Sequence, residues 1–445
     1  MKRVLLVTYY FPPLGGGGVP RALKLAKYLP AFGWEPHVLT VRDGIWSAAD
    51  VSPLAELPPR VTIHRAPMLM PGRLLRRAIQ GASGAQAVTE DRPAPEQPSF
   101  REHAKEVFRR IAYVPDEFVG WLPFALRMAK RIVREKKIDA LISTSPPHTA
   151  HLIGRAIGKA TGLPWVADFR DPWTRNPSFR HGGGLRGLVE ERLERSVLRR
   201  ATRIVTVTEP HREEIITEHR NTLDPRRVLM IPNGFDPEDF EGGTLPASLA
   251  PDPGIFRVVY TGGWFDHRSP RTFFEALALY RATPGLPPIE AVFAGTAQAE
   301  LSAEAERLGV PALVRCVGYL PLRACCALQR SADALLLIVN ARGRGVTQIP
   351  GKTFQYLGAG RPVLALSPQG IVADLVRKTG AGRVVDPDDA GGVASALVDM
   401  ARAKSAGMPS HGADPRALVP YTRRAIAERY AALLDKVSHP RASCG

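Results

Sequence analysis

Two glycine-rich turns in this sequence have a composition that could bind a phosphate group. Each follows a short aliphatic run and precedes a helical pattern, and glycine lets backbone N–H groups approach an anion at the positive end of a helix. Pro20 suits the first helical turn after the first of them, while Arg268 in the second could neutralise the anion directly. The glycines are Gly15, Gly16, Gly17 and Gly18 in the first turn, and Gly262 and Gly263 in the second.

Two other interpretations of the first turn stay open. A run of four glycines is also typical of a flexible loop. A dinucleotide-binding fingerprint fits less well, because the third glycine of GxGxxG is missing, although Glu35 stands roughly where the ribose-binding acid of that motif would fall. The glycine run therefore indicates anion binding without identifying the ligand.

A third segment, Ile349–Ala365, combines a loop, a predicted helix and a buried strand. Pro350 and Gly351 are expected to begin the helix, which places Lys352 in its first turn beside free backbone N–H groups. Gln355 follows three residues later and should share a face with Lys352. One cation and one amide on that face would suit a phosphate and a ribose diol.

Polar side chains in the first half of the chain are candidates for chemistry at the reacting centre. Asp168 and Asp171 fall at the carboxyl end of a predicted strand, where ligands bind in open α/β sheets. His148 opens a predicted helix. The alternatives are that Asp171 pairs with Arg170 or caps a turn, and that His148 caps its helix or packs internally.

The elements that must position these residues follow an alternating pattern. Short β-branched or aliphatic runs alternate with helical patterns from end to end, which predicts an α/β protein with two doubly wound parallel sheets. Residues 1–235 form the predicted first domain, with a mobile loop at 80–99. A Gly- and Pro-rich linker is predicted at 236–254, a second domain at 255–420, and a C-terminal helix within 421–445 that could pack back on the first domain.

Composition narrows the class of protein. The chain has 445 residues, of which 44% are hydrophobic and 23% charged, as in globular proteins of more than one domain. Its four cysteines have no metal-ligand spacing, so no metal site is expected, and a reducing cytoplasm fits them best. The first apolar run ends after about six residues, which predicts a strand and not a signal peptide. No run is long enough to span a bilayer.

The charge points to an anionic partner. The net charge is +17, and most of it falls in residues 1–235. The segment Trp121–Ile138 has an apolar stripe and many basic residues, which suits either an ordinary crossover helix or peripheral docking on an anionic membrane. No nucleic-acid-binding module accompanies the charge, so nucleic acid is not an expected partner.

Motifs along the chain resemble those of glycosyltransferase family four. In order they are YFPPLGGGG, STSPPHTAHLIG, VADFRDPW, VTE, IPNGFD, YTGGWFDHRSP and GKTFQYLGAGRPVLAL. The resemblance implies a GT-B fold, in which two Rossmann-like domains face a central cleft. It also implies transfer of a sugar from a nucleotide-diphosphate donor to a glycan or lipid-linked acceptor. In this family the reaction retains anomeric configuration and needs no metal or other cofactor.

The resemblance also assigns roles by motif position. Arg268 and Lys352 would bind the diphosphate, and Gly15 to Gly18 would close over it from the other domain. Asn233, Gly351 and Gln355 would complete the donor site, with a UDP-sugar expected in preference to a GDP-sugar.

Two departures from the family pattern keep alternatives open. The family often has two glutamates eight residues apart at the donor site, whereas this chain has Thr347 and Gln355. Many relatives also carry a His-Asp pair where this chain reads Ala167-Asp168. A sugar-nucleotide epimerase of the same fold, or a non-catalytic nucleotide-binding protein, therefore stays possible.

Overall fold

The chain forms two compact units, each built on a parallel β-sheet. The structure is a computed structural model that describes residues 1–44, 50–69, 113–176, 184–263, 269–339, 347–408 and 412–438. The first unit comprises Met1–Val207, Arg212–Met230 and Tyr430–Gly445, and the second comprises Thr208–His211 and Ile231–Arg429. The predicted α/β class with two Rossmann-like domains is confirmed.

The sheet of the first unit has seven strands in the described part of the chain, in the order β3-β2-β1-β4-β5-β6-β7. All neighbouring strands are parallel. Because helices cover both faces of such a sheet, its central strands are buried along almost their whole length, including polar residues such as Ser143 and Asp168 near their carboxyl ends. The strands are β1 Lys2–Val7, β2 Trp34–Val41, β3 Thr62–Ala66, β4 Ala140–Ser145, β5 Trp165–Phe169, β6 Arg203–Thr206 and β7 Val228–Met230.

The strand order reverses direction between β1 and β4, which creates a crevice at their carboxyl ends where ligands of doubly wound sheets bind. The Gly15–Gly18 turn follows β1, and the turn that contains His148 follows β4. The described α-helices of this half of the chain are α1 Val19–Tyr28, α2 Leu122–Lys136, α3 Thr149–Thr161, α4 Leu185–Arg200 and α5 Glu209–Glu218.

The second unit repeats this topology with six described strands in the order β10-β9-β8-β11-β12-β13. The strand order of this sheet reverses direction between β8 and β11. The strands are β8 Phe256–Thr261, β9 Ile289–Ala294, β10 Val314–Gly318, β11 Ala334–Ile338, β12 Val363–Leu366 and β13 Gly382–Val385. The α-helices in the described residues of this half are α6 Arg271–Arg281, α7 Gln298–Arg307, α8 Leu322–Arg330, α9 Gly351–Gly358, α10 Ile371–Lys378, α11 Ala390–Ser405, α12 Pro415–Leu418 and α13 Arg423–Val437.

The segment that follows β7 belongs to the second unit through close packing. Phe235 forms a parallel bridge with Thr422. A methyl group added at Gly358 would lie 2.3 Å from the Phe235 ring, so α9 and this segment are in direct contact. The last helix, α13, contributes its residues from Tyr430 onward to the first unit.

The strands of both sheets lie where the short aliphatic runs predict them, with ends shifted by at most three residues, and β7 occupies the start of the strand-like run VLMIPNGF. Asp389, which stands in the turn before α11, caps that helix by accepting a hydrogen bond from the Gly392 N–H at 2.8 Å. The loop predicted at 80–99 lies outside the described residues. Among the described helices, none combines enough length and apolar character to cross a membrane.

Candidate functional site

Lys352 lies in the first turn of α9, as predicted, with Pro350 directly before the helix. Its ammonium nitrogen lies 3.8 Å from the centre of the Tyr260 ring, near the carboxyl end of β8. A cation over the face of an aromatic ring at this distance is attracted by the ring's negative face. The second unit therefore holds a fixed positive charge at the edge of its sheet where ligands bind in doubly wound folds.

The strand ends around this charge pack too closely for side chains. Gly262 has φ +116°, and a methyl group there would lie 2.9 Å from Lys352 Nζ. Gly295, which follows β9, has φ +149°, and a methyl group there would lie 2.1 Å from the Gly262 carbonyl oxygen. Both positions need the backbone freedom of glycine. The result is a surface of bare backbone beside the Lys352 ammonium.

A buried hydrogen-bond network attaches α9 to β8. The Thr261 N–H donates to the Tyr356 hydroxyl oxygen at 2.7 Å, and Gln329 Nε2 donates to Thr261 Oγ1 at 2.8 Å. Burial raises the pKa of Tyr356 well above its ordinary value, so its hydroxyl stays protonated. Because Tyr356 lies one turn after Lys352, this network also fixes the start of α9 relative to β8.

Three buried polar atoms near the start of α9 have no hydrogen-bond partner among the described residues. They are Asn233 Oδ1, Gln348 Nε2 and Thr353 Oγ1. Thr353 is only 1% exposed, and a methyl group at Gly351 would lie 3.7 Å from Asn233 Nδ2. Since buried polar groups in native proteins almost always have partners, atoms of this kind are candidates for ligand contacts.

The remaining residues at the predicted donor site differ in their exposure and in their hydrogen bonds. Gln355 is half-buried on α9, and Thr347, eight residues earlier, is exposed and accepts a hydrogen bond from Thr208 Oγ1 through its carbonyl. The Gly263 carbonyl accepts a hydrogen bond from the Tyr260 hydroxyl at 3.3 Å. Arg268 lies outside the described residues.

In the first unit, Arg170 connects the Gly15–Gly18 turn with the turn after β4 that contains His148. Its guanidinium donates to the carbonyl oxygens of Gly18, Ser145 and Pro146, which belong to the turns after β1 and β4. Gly18 also caps α1, with Pro20 in the first turn of that helix. A planar guanidinium with several donors suits this role, because one side chain can bind carbonyls from two loops. The Gly15–Gly18 turn is therefore braced from β5.

Asp168 is fully buried, and hydrogen bonds within the first unit engage both of its carboxylate oxygens. Arg21 binds it in a bidentate pair at 2.9 Å, and the hydroxyls of Thr144 and Tyr430 donate to it at 2.8 and 2.7 Å. Burial would raise the pKa of Asp168, but Arg21 and these hydrogen bonds outweigh it and hold the pKa below its ordinary value. This geometry gives Asp168 a structural role as a buried anion that joins α1, β5 and α13.

His148 stands directly before α3 and stacks on the buried ring of Trp173, with 4.6 Å between ring centres and planes 4° apart. Asp116 caps this helix by accepting hydrogen bonds from the Thr149 N–H and hydroxyl at 2.9 and 2.6 Å. Burial raises the pKa of Asp116 in spite of these bonds. His148 is therefore part of a packed turn, and the residue is 6% exposed.

His151 packs one turn into α3 and is fully buried. Its Nδ1 lies 2.8 Å from Ser143 Oγ, and burial lowers the pKa of His151 to about 3, so the ring is neutral at physiological pH.

Asp171 is half-buried next to Arg170. Burial lowers the pKa of the Arg170 guanidinium, and the neighbouring Asp171 carboxylate offsets part of that shift. The alternative that Asp171 pairs electrostatically with Arg170 thus has structural support.

Sequence reasoning missed four residues that organise these sites. Arg170 was visible between the two candidate aspartates, but its three carbonyl partners come from turns that only the folded sheet brings together. Asp116 and Tyr430 lie far along the chain from the groups they contact. Tyr260 could have been found from the sequence. It stands two positions before Gly262, and alternate residues of a strand share a face, so its ring is expected on the same side as the glycine.

Two sequence profiles match the chain. The Glycosyl transferase 4-like domain matches residues 16–234, and Glycosyl transferases group 1 matches residues 256–403. These ranges cover most of the first sheet and the whole of the second. A search of curated proteins finds no match.

Solved structures share the fold across the whole chain. HepE from Anabaena, in complex with UDP and glucose, has a TM-score of 0.60 at 14% identity over 98% of this chain and 100% of its own. Sucrose-phosphate synthase from Thermosynechococcus elongatus has 0.60 at 16% over 98% and 99%. WaaG, a glycosyltransferase involved in lipopolysaccharide biosynthesis, has 0.55 at 15% over 98% and 100%. At these identities the likeness shows the fold alone.

The buried ion pair predicts a large loss of stability on substitution. Asp168→Asn leaves the Arg21 charge buried without its counter-ion, so we expect the free energy of unfolding to fall by about 3–5 kcal/mol in urea titrations at pH 7. Tyr430→Phe removes only hydrogen bonds and should cost about 1–3 kcal/mol.

The same ion pair predicts a pH dependence. The folded-state pKa of Asp168 lies below the unfolded value of about 4. The contribution of the ionised Asp168 to the free energy of unfolding is therefore complete above about pH 4 and is lost as the pH falls further. The difference between wild type and Asp168→Asn should therefore shrink below about pH 4. A difference that is small at pH 7, or constant down to pH 2, would contradict the assignment.

The contacts of Arg170 predict a local effect on dynamics. In Arg170→Met the turns at 15–19 and 145–149 lose their common support, so hydrogen exchange of their amides should become at least about fivefold faster. Amides of β12 serve as an internal reference, and Arg155→Met, another partly buried arginine of the first unit, is the matched control. Equal exchange in both turns of wild type and Arg170→Met would refute the bracing role.

Proposed function

This chain belongs to glycosyltransferase family four, and from that premise we propose that it transfers a sugar from a nucleotide-diphosphate donor to a hydroxyl acceptor. The observation that carries the proposal is the fixed ammonium of Lys352 at the carboxyl end of β8, next to bare glycine backbone. A leaving diphosphate develops negative charge, and a preorganised cation at a helix terminus stabilises it. We assign Lys352 this role, together with Arg268.

The buried polar atoms around α9 support a nucleotide-sugar as the donor. Asn233 Oδ1 can accept a hydrogen bond, Gln348 Nε2 can donate one, and the hydroxyl of Thr353 can do both. The hydroxyls of a ribose or a sugar need such mixed partners. Gln355 can bind a ribose diol through its amide without supplying charge. HepE binds UDP and glucose, and by analogy we propose a UDP-sugar before a GDP-sugar.

The proposed reaction retains the configuration of the anomeric carbon and uses no metal. The acceptor hydroxyl attacks from the face that the diphosphate leaves. A new bond forms between the acceptor oxygen and the anomeric carbon, the bond from that carbon to the phosphate oxygen breaks, and the hydroxyl proton passes to the departing phosphate. The role of the second unit is then to bind the donor and to stabilise the leaving group.

We assign acceptor binding to the first unit. The Gly15–Gly18 turn and the turn with His148 flank the crevice between β1 and β4, and Asp171 follows β5 nearby. The strong net positive charge of the chain suits an acceptor that carries phosphate or is attached to anionic lipid. A glycan or lipid-linked intermediate of surface polysaccharide assembly is the acceptor class that we propose.

Lys352→Ala tests the donor site directly. Loss of the fixed cation should lower turnover of the preferred nucleotide sugar by at least about tenfold, or more than about 1.4 kcal/mol of transition-state stabilisation. Lys378→Ala, an exposed lysine of the same unit, is the matched control and should leave the kinetics unchanged. The measurement is release of UDP or GDP from a panel of nucleotide sugars in the presence of candidate acceptors.

The outcome of that panel separates the proposed function from its alternatives. Unchanged kinetics in Lys352→Ala would refute the role of the lysine. Saturable binding of a nucleoside diphosphate without turnover of any donor would favour a non-catalytic binding protein, an alternative consistent with Thr347 and Gln355 in place of carboxylates. Inversion of a sugar centre on the intact nucleotide sugar would identify an epimerase.

We further propose that the first unit docks on the anionic cytoplasmic face of a membrane. The apolar stripe of α2 packs into the core through Ala125, Ala129 and Ile132, so docking uses the opposite, exposed face. Phe124 on that face is 38% exposed. The face borders a concavity of about 560 Å³ that is lined by Pro67, Phe124, Arg127, Met128, Lys130, Arg131 and Arg134.

Charge reversal on α2 tests the docking. Anionic lipid attracts each basic residue by about 1 kcal/mol, so Arg127→Glu with Arg131→Glu should weaken binding to phosphatidylglycerol vesicles at least about 30-fold in sedimentation at low salt. Lys378→Glu with Arg416→Glu makes the same charge change on the second unit and should have a small effect. Absence of wild-type binding at low salt would remove the docking proposal and leave the transferase proposal intact.

A further inference from the structure

The ammonium of Lys352 is held between two features to which the proposed function assigns no role in orienting the lysine. On one side is the face of the Tyr260 ring, whose centre is 3.8 Å from Nζ. On another is the backbone of Gly262, where an added methyl group would lie 2.9 Å from Nζ and 3.1 Å from Cε. The ammonium thus lies in the space that a side chain at position 262 would take. We refer to Tyr260 and Gly262 together as the lysine seat.

The ring of Tyr260 is itself held firmly. Tyr260 is 2% exposed, and its hydroxyl donates a hydrogen bond to the Gly263 carbonyl oxygen at 3.3 Å. The ring packs against Phe293 with 5.5 Å between ring centres. Tyr260 belongs to β8, whose carboxyl end is fixed to α9 through Thr261 and Tyr356. The strand that presents the ring and the helix that presents the lysine are therefore joined directly beside the contact.

From this geometry we infer that Tyr260 is a positioning residue, which holds the Lys352 ammonium in the orientation that binds the donor diphosphate. A lysine side chain has four rotatable bonds and loses much conformational freedom when it is fixed. A ring face that attracts the ammonium before the ligand arrives removes part of that loss from the binding step. The inference rests on the proposed donor site and extends it from the cation to the residues that orient the cation.

The seat also explains why a lysine suits this position better than an arginine. The space at Gly262 admits a compact ammonium, whereas a planar guanidinium is wider and needs a fork of acceptors. Lys352→Arg keeps the positive charge, but the guanidinium does not fit this space. Nucleotide binding should therefore be weaker in Lys352→Arg than in wild type. A site that required only positive charge would accept the exchange.

The first arm of the test detects the contact without any ligand. The protein is labelled with ¹³C at lysine Cε, and the Lys352 signal is assigned by its loss in Lys352→Arg. A ring face at this distance should move the Lys352 Hε resonance upfield in wild type and in Tyr260→Phe, and the shift should vanish in Tyr260→Leu. An unshifted wild-type signal, or one that persists in Tyr260→Leu, would overturn the inference.

The second arm measures UDP and uridine affinities by calorimetry. Tyr260→Leu should weaken UDP binding about tenfold, and Tyr260→Phe, which keeps the ring, should stay within about twofold of wild type. Uridine, which lacks phosphate, should bind all three proteins alike. In a Lys352→Met background the Tyr260→Leu change should have no further effect on UDP.

Controls separate positioning from simple loss of packing. Phe274→Leu removes another fully buried ring from the same core and should leave UDP affinity unchanged even if it lowers stability. Equal losses in Phe274→Leu and Tyr260→Leu, or a full additional loss in the Lys352→Met background, would overturn the positioning role. A wild-type protein that binds neither UDP nor GDP would overturn the proposed function, while the NMR arm would still report whether the ring holds the lysine.

Discussion

The site of the second unit depends on one positive charge that is fixed before any ligand binds. The Lys352 ammonium lies over an aromatic ring at the end of β8, and the backbone around it is bare because Gly262 and Gly295 leave no room for side chains. The network of Thr261, Tyr356 and Gln329 joins the helix to the strand beneath it. In the proposed reaction, a preorganised cation of this kind would stabilise the departing diphosphate without reorganisation.

The first unit uses one buried and one partly buried arginine for a different purpose. Arg21 is compensated by the Asp168 carboxylate, and Arg170 by three backbone carbonyls from two turns. Because an unpaired buried charge is strongly unfavourable, each arginine restricts the chain to the arrangement that supplies its partners. The contacts of Arg170 connect the turns on the two sides of the crevice between β1 and β4, and Tyr430 of α13 belongs to the network of Arg21 and Asp168.

The fold was predictable because periodicity is a local property. Apolar runs such as Ala334–Ile338 and the alternation with helices define both sheets, and the first-turn position of Lys352 follows from Pro350 and Gly351. Contacts over long separations were not predictable: Asp168 looked like a reacting carboxylate at a strand end, but its partner Tyr430 lies 262 positions away. The run VLMIPNGF was strand-like by composition, but the end of β7 after its third residue was not predictable. Arg268 remains a prediction.

A structure of the protein in complex with UDP tests the central claim most directly. The account predicts that the β-phosphate lies within hydrogen-bond distance of Lys352 Nζ, above the glycine backbone at the end of β8, with the ammonium still over the Tyr260 ring. A pyrophosphate bound elsewhere in the protein, or one held to it solely through a magnesium ion, would contradict the account.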